Sequence, residues 1–211
     1  MIQILPLFAQ EQDAGLWMSV QVEKRLNRSL SASFSEEVRL RENLTEVGTI
    51  FSDIGLEYRF WNRFRIGGHI RFIEKRRLDD TYEASFRSYI DLSYREKLKP
   101  VQFILRLRFQ TQYAPPFEIP DEPGAENYSR IKLTVKLDLN KRVEPYLYAE
   151  SFIHLNSWEG MLFDAMRYCG GVEYAVTRMH RVDLFYLIQQ EYQVKNPETD
   201  FIIGINYTFV F

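Results

Sequence analysis

The chain has 211 residues and a single cysteine, Cys169. No intramolecular disulfide can form, and a small buried side chain is the expected role of that thiol rather than a nucleophile. Long apolar runs are missing as well. No stretch approaches the roughly 18 apolar residues of a membrane-spanning helix, and no helical periodicity outlasts a turn. Charge of one sign is also absent. The formal net charge is −2 and no basic run stands out, so nucleic-acid binding has no electrostatic support. The three histidines and one cysteine are not spaced as metal ligands, so no metal site and no cofactor is expected. Gly67-Gly68 and Gly170-Gly171 are followed by no helix; they read as strand kinks, not phosphate loops.

What is present is alternation. A mean hydropathy of −0.32 with 27% charged residues would describe a soluble protein. A membrane β-barrel has the same average, because only every second residue faces lipid. Aromatic residues reach 15%, with 16 Phe and 13 Tyr, which aromatic girdles at the two membrane interfaces would explain. An aromatic-rich soluble sandwich or lipocalin-like barrel is the competing fold.

The last eleven residues, FIIGINYTFVF, carry the most information. Phe201, Ile203, Ile205, Tyr207, Phe209 and Phe211 share one strand face. A soluble protein rarely leaves such a sticky strand as a free end. A closing strand that ends on an aromatic, with Tyr207, Phe209 and Phe211 as an assembly signal, fits a bacterial outer-membrane barrel. At the other end, residues 1–10 (MIQILPLFAQ) look like the tail of a signal peptide or a disordered tail. Ile4, Leu5, Leu7 and Phe8 form a short apolar core and Ala9 stands near a cleavage-like position, but the usual positive n-region is missing. Residues 11–211 would form the barrel domain.

Between these ends the pattern repeats. Leu16, Met18, Val20 and Val22 oppose Ser19, Gln21, Glu23 and Arg25. Val101, Phe103, Leu105, Leu107 and Phe109 oppose Gln102, Arg106, Arg108 and Gln110. Glu36 interrupts an apolar face and reads as a bulge. Short connections fall near Asn27-Arg28, Trp61-Asn62, Glu96–Pro100, Asn140–Arg142 and Thr177–Met179. Longer ones run near Asn43–Thr49, Arg76–Glu83, Tyr113–Asn127, Asn156–Phe163 and Gln193–Asp200. Short periplasmic turns with long outer loops are the outer-membrane arrangement. Direct counting finds about eleven strands. Single-chain bacterial barrels have even numbers, and an odd count would start the first strand on the outer side. The expected fold is therefore an all-β, transmembrane, antiparallel up-and-down barrel of about 10–12 strands, with ten or twelve favoured.

The early strand GLWMSVQVEKRL, the arginine-rich EYRFWNRFRIGG and the closing GINYTFVF resemble, with the signal-like start, the family of bacterial outer-membrane proteins called domain of unknown function 2490. The resemblance runs from Gln12 onward. It implies an outer-membrane barrel of a Gram-negative cell and brings no catalytic residue with it.

The polar faces of the strands would fill the lumen. The candidate charge network, or constriction, is Arg39, Arg59, Arg65, Arg71, Arg87 and Arg106 with Glu37, Glu57, Asp91 and Glu150. Unpaired buried charges cost several kcal/mol each, so most of these arginines are expected to meet a carboxylate. Paired, they make a structural core that fills a narrow barrel; unpaired, they make an anion-selective, porin-like constriction. Enzymes on small barrels need a nucleophile or base near the outer rim or on the lipid-facing wall. His154 has Ser151 and Ser157 three residues away on either side, yet positions three apart in a strand point to opposite faces. His69 reads as a lumen residue and His180 as part of a periplasmic turn. The loop Tyr113–Asn127, proline-rich and acidic, is long enough to fold over the mouth or meet a partner.

The function expected is a non-enzymatic outer-membrane barrel with a charge-filled lumen, serving a structural or accessory role or forming a narrow channel. The alternative is a lipid-modifying barrel enzyme of the phospholipase or acyltransferase kind. Outer-membrane lipid, the barrel-assembly machinery and an outer-membrane partner protein are the expected partners; nucleic acid is not.

Overall fold

Period-two alternation is realised as strands throughout the computed structural model of the chain, which describes residues 11–77, 79–113, 125–139, 142–157, 160–193 and 197–211. The described residues form eleven strands: β1 (Glu11–Arg25), β2 (Leu30–Arg41), β3 (Glu46–Phe60), β4 (Phe64–Arg76), β5 (Tyr82–Leu98), β6 (Val101–Tyr113), β7 (Glu126–Leu137), β8 (Val143–Ser157), β9 (Gly160–Ala175), β10 (His180–Glu191) and β11 (Glu198–Val210). Each pairs antiparallel with the next, and β1 closes on β11 to complete a barrel. The signal-like segment 1–10 and most of the Tyr113–Asn127 loop lie outside the described residues.

The closing pair corrects the expected strand number. β1 and β11 run parallel, from Glu11 opposite Glu198 to Glu23 opposite Val210. An even count follows only when every neighbour, including the closing pair, is antiparallel. One parallel seam lifts that requirement, and the count is eleven rather than ten or twelve. It also sets the start of β1 at the rim opposite Phe211. Among the described residues no strand edge is left unpaired, which removes the aggregation hazard of so many apolar strands.

Loop lengths differ from expectation at two places. Leu26–Ser29, Trp61–Arg63, Lys99-Pro100 and Val176–Met179 make the short-turn rim, where β11 ends. At the opposite rim, β2 and β3 are joined by only Glu42–Thr45, and β8 continues to Ser157 before β9 resumes at Gly160. The segments around Asn43–Thr49 and Asn156–Phe163 are largely strand, because ladder hydrogen bonds extend into sequence that has loop-like composition. Glu36 marks no bulge: it pairs in register with Val20 and Ser52. The irregularity lies higher, where Arg39 pairs with Thr49 and Leu40 with Val47, leaving Gly48 as the extra residue. A Cβ on Gly48 would stand 2.6 Å from Cδ of Arg41, so a larger residue there would displace the Arg41 side chain. The Gly67-Gly68 and Gly170-Gly171 pairs do not break their ladders; both run in register.

Burial is inverted relative to a soluble domain. Ile54 (64% exposed), Ile70 (65%) and Leu147 (67%) stand on the outside, whereas Glu150 (2%) and Asp53 (5%) are buried within. Alternation makes this automatic: an outward apolar face forces the polar partners into the lumen. One sector of the interior is apolar, where Cys169, Leu187 and Ile202 pack with Trp17, Tyr146, Tyr148 and Phe185. Phe185 lies flat against Gly204, where a Cβ would collide with its ring at 1.9 Å.

Candidate functional site

The lumen side chains of nine successive strands join in a closed circuit of ionic and ring contacts. It begins at Trp17 of β1, whose ring has the Arg39 guanidinium 3.6 Å from its centroid. Arg39 of β2 also faces Phe51 of β3 at 4.4 Å and pairs with Glu37 at 2.5 Å. Arg71 of β4 lies 5.0 Å from Phe51 and donates Nε–H to Asp53 Oδ2 at 2.9 Å. Tyr89 of β5 donates its hydroxyl to the same oxygen at 2.6 Å, and His69 Nδ1 lies 3.1 Å from the other. His69 and Tyr89 stack at 4.6 Å.

The circuit continues on β6. Arg108 sits 3.7 Å over Tyr89 and grips Asp91 through Nε and Nη2, at 2.6 and 2.7 Å. Arg106 stands 4.0 Å from Asp91 and donates to Glu150 Oε1 of β8 at 2.5 Å. Arg130 of β7 reaches the same carboxylate at 2.9 Å and lies 4.2 Å over Phe152. Arg167 of β9 covers the other side of Phe152's environment, 4.5 Å from that ring and 5.1 Å from Trp17, which closes the loop. Planar guanidinium groups suit this role, because they pair with carboxylates edge-on and stack on rings with their faces.

The residues named from sequence divide between two heights. Arg39, Glu37, Arg71, Asp91, Arg106 and Glu150 belong to this belt. Arg87 stands beside it and bonds Gln112 Oε1 through Nε at 3.2 Å and Nη2 at 2.5 Å. Arg59, Arg65 and Glu57 lie near the short-turn rim: Arg65 pairs with Glu57 at 2.8 Å, and Arg59 donates to the Arg28 carbonyl. Alternation sets the face of a residue but not its height, so one list drawn by parity covered two clusters. Of the six named arginines, Arg59 and Arg87 have no carboxylate partner among the described residues.

Sequence reasoning missed Asp53, which joins three partners, and the ring residues Trp17, Phe51, Tyr89 and Phe152. Their signal was parity: each shares the strand face of a polar neighbour two residues away, such as Trp17 with Ser19. At the rim of the opposite end, His154 stacks on Tyr128 at 4.5 Å while Ser151 pairs opposite Ile131 and Met166. Among the described residues, no three His, Cys, Asp or Glu side chains gather as a metal would require.

The terminal aromatics sit at the seam. Phe211 donates its N–H to Glu23 O at 3.0 Å and accepts from Arg25 N–H at 2.9 Å. Its ring stacks on Phe209 at 5.5 Å, and Lys24 lies 5.4 Å above it. His180 stacks on Phe209 at 5.0 Å and its Nδ1 lies 2.6 Å from Tyr207 Oη.

The family model of the protein of unknown function DUF2490 matches residues 14–200. Among solved structures, the β-domain of the Bordetella autotransporter BrkA is similar, with a TM-score of 0.45 and 9% identity over 82% of this chain and 78% of that one. A search of curated proteins finds no match.

Proposed function

The chain belongs to the DUF2490 family of proteins of unknown function, and from that premise we propose that it is a non-enzymatic barrel of the bacterial outer membrane whose lumen is closed by its own paired charges. The outward apolar faces and the inward charges support the membrane setting, since that inversion suits lipid outside and water or protein inside. The circuit from Trp17 to Arg167 is the observation that carries the closed lumen. Its arginines are held by carboxylates and rings around the interior, and displacing one uncovers a buried charge at a cost of several kcal/mol. Ions would have to break such contacts to pass, so the role is structural or accessory rather than that of a steady pore. A lipid-modifying enzyme would need a nucleophile beside a base, whereas His154 is stacked on Tyr128 and faces away from Ser151.

Single-channel recording of the purified protein in planar bilayers tests this reading. Silence over a range of voltages is expected. Stable, anion-selective openings would overturn the closed lumen and favour a narrow channel lined by the same arginines.

A further inference from the structure

The belt leaves cationic groups over, and they face one cavity. A lumen cavity of about 520 Å³ opens toward the rim opposite Phe211 and is lined by nine basic and five acidic side chains. Five of the nine are the arginines held by Glu37, Asp53, Asp91 and Glu150. Arg87, Arg167, Lys132 and Lys75 have no carboxylate within ion-pair distance among the described residues.

Two of these four are positioned rather than loose. Arg87 directs two donors to Gln112 Oε1, and Arg167 directs Nε–H to Gln189 Oε1 at 2.6 Å. A neutral amide orients a guanidinium without cancelling its charge. A guanidinium has five N–H donors, so Arg87 retains three and Arg167 four for other acceptors. Lys132 is anchored 3.5 Å over the Tyr148 ring and brings an amine donor to the cavity wall. Arg106, another lining residue, keeps its Nε buried with no hydrogen-bond partner. The remaining acids, Glu126, Asp164 and Glu191, also line the cavity. Glu126 accepts from the Tyr128 hydroxyl at 3.3 Å, and Glu191 accepts from Glu198 N–H at 3.4 Å, so neither is matched to Arg87 or Arg167.

We propose that this cavity is a binding site for a small multivalent anion bearing phosphate or carboxylate groups, gripped between Arg87 and Arg167 with Lys132 as the third contact. The volume suits such a ligand, since small-molecule sites run from roughly 300 to 1,000 Å³. Guanidinium forks recognise planar or tetrahedral oxyanions through paired N–H donors. Gln112 and Gln189 are positioning residues: they touch the arginines, not the ligand. The site goes beyond the closed lumen, because nine basic side chains outnumber five acidic ones in the lining and a bound anion would offset the excess.

Calorimetric titration of the detergent-folded protein at low salt, with inorganic pyrophosphate in one arm and citrate in the other, tests the site. Saturable binding of at least one probe is expected, and the tighter arm assigns phosphate or carboxylate as the recognised group. Arg87→Gln and Arg167→Gln should each weaken it by at least about tenfold, the scale of one lost charge-assisted contact. Arg63→Gln, on a short turn far from the cavity, should not change it. Retained heat-modifiable gel mobility shows that each variant is folded. Absence of binding in both arms, or affinities unmoved by either lumen substitution, would overturn the proposal. Conductance plays no part in this readout, so the anion site and the closed lumen fail separately.

Discussion

Replacing Glu150 with glutamine should be the most damaging isosteric change in the barrel. Glu150 is 2% exposed, and a single oxygen, Oε1, serves both Arg106 at 2.5 Å and Arg130 at 2.9 Å. The amide preserves volume and can still accept through its oxygen, so no cavity term enters. What it removes is the negative charge between two guanidinium groups. Breaking a buried pair by removing one partner costs about 3–5 kcal/mol, because the remaining charge is left uncompensated. Arg106 retains Asp91 at 4.0 Å, and Arg130 retains Gln110 at 3.4 Å and the face of Phe152. These reserves place the expected loss near the lower end, about 3 kcal/mol, or roughly a hundredfold in an equilibrium constant.

The measurement is reversible urea unfolding of protein folded into lipid vesicles, followed by tryptophan fluorescence and heat-modifiable gel mobility. Arg130→Met supplies the comparison: it removes one cation but leaves Glu150 paired with Arg106, so it should cost less than Glu150→Gln. A Glu150→Gln variant within about 0.5 kcal/mol of the parent, the scale of an ordinary surface change, would refute the idea that this carboxylate holds the belt together. So would a larger loss from Arg130→Met than from Glu150→Gln.

Three further outcomes are expected. Deleting Phe211 removes the seam hydrogen bonds to Glu23 and Arg25 and should lower outer-membrane abundance; unchanged abundance and gel mobility would count against a barrel closed by this strand. Leu105→Arg puts a charge on the outward face and should cost about 2–4 kcal/mol of folding into bilayers, whereas Arg106→Gln, with Glu150 still held by Arg130, should cost less; equal penalties would reverse the assigned facing. Glu36, in the middle of β2 and outward, has Ser52 Oγ–H donated to it at 2.9 Å; Glu36→Leu should stabilise vesicle-folded protein by about 1 kcal/mol, and a loss instead would show that this carboxylate has a further partner.

Much of this architecture is legible in the residues, and the reasons for the remainder are physical. Alternation places Val101–Phe109 as a strand with Arg106 and Arg108 inward, because the period of a strand is independent of its neighbours. Closure is not local in that way. Nothing within Glu11–Arg25 or Glu198–Val210 states that the two run parallel; the parity expectation came from the habits of other barrels. The loop readings at Asn43–Thr49 and Asn156–Phe163 failed because polar composition there is compatible with strand once both faces are near water at a rim. The belt was half visible. Its arginines and most of its acids could be named by parity, but Asp53 meets Tyr89 two strands away on β5, a contact that depends on register and tilt. The aromatic members were not singled out. High aromatic content pointed to interfacial girdles without naming residues, and Trp17, Phe51, Tyr89 and Phe152 turn inward to lie beside guanidinium groups.

The parallel seam and the belt are linked. Parallel pairing is slightly less stable per residue than antiparallel pairing, so β1–β11 is the weaker join in the wall. β10 and β11 contribute Leu187 and Ile202 to the apolar sector of the lumen, and although they also carry the inward acids Asp183, Glu191 and Asp200, the belt has no member on either strand. It nevertheless closes, because Arg167 of β9 reaches Trp17 of β1 across both of them. That contact ties the wall on one side of the seam to the wall on the other through the interior. Phe211 ties it at the rim, where its backbone bonds Glu23 and Arg25 on β1. An odd-stranded barrel thus reinforces its parallel join at several heights: by a cation near an aromatic ring, by Ser19 Oγ–H donating to Asn206 Oδ1 directly across it at 2.6 Å, and by the terminal residue at the edge.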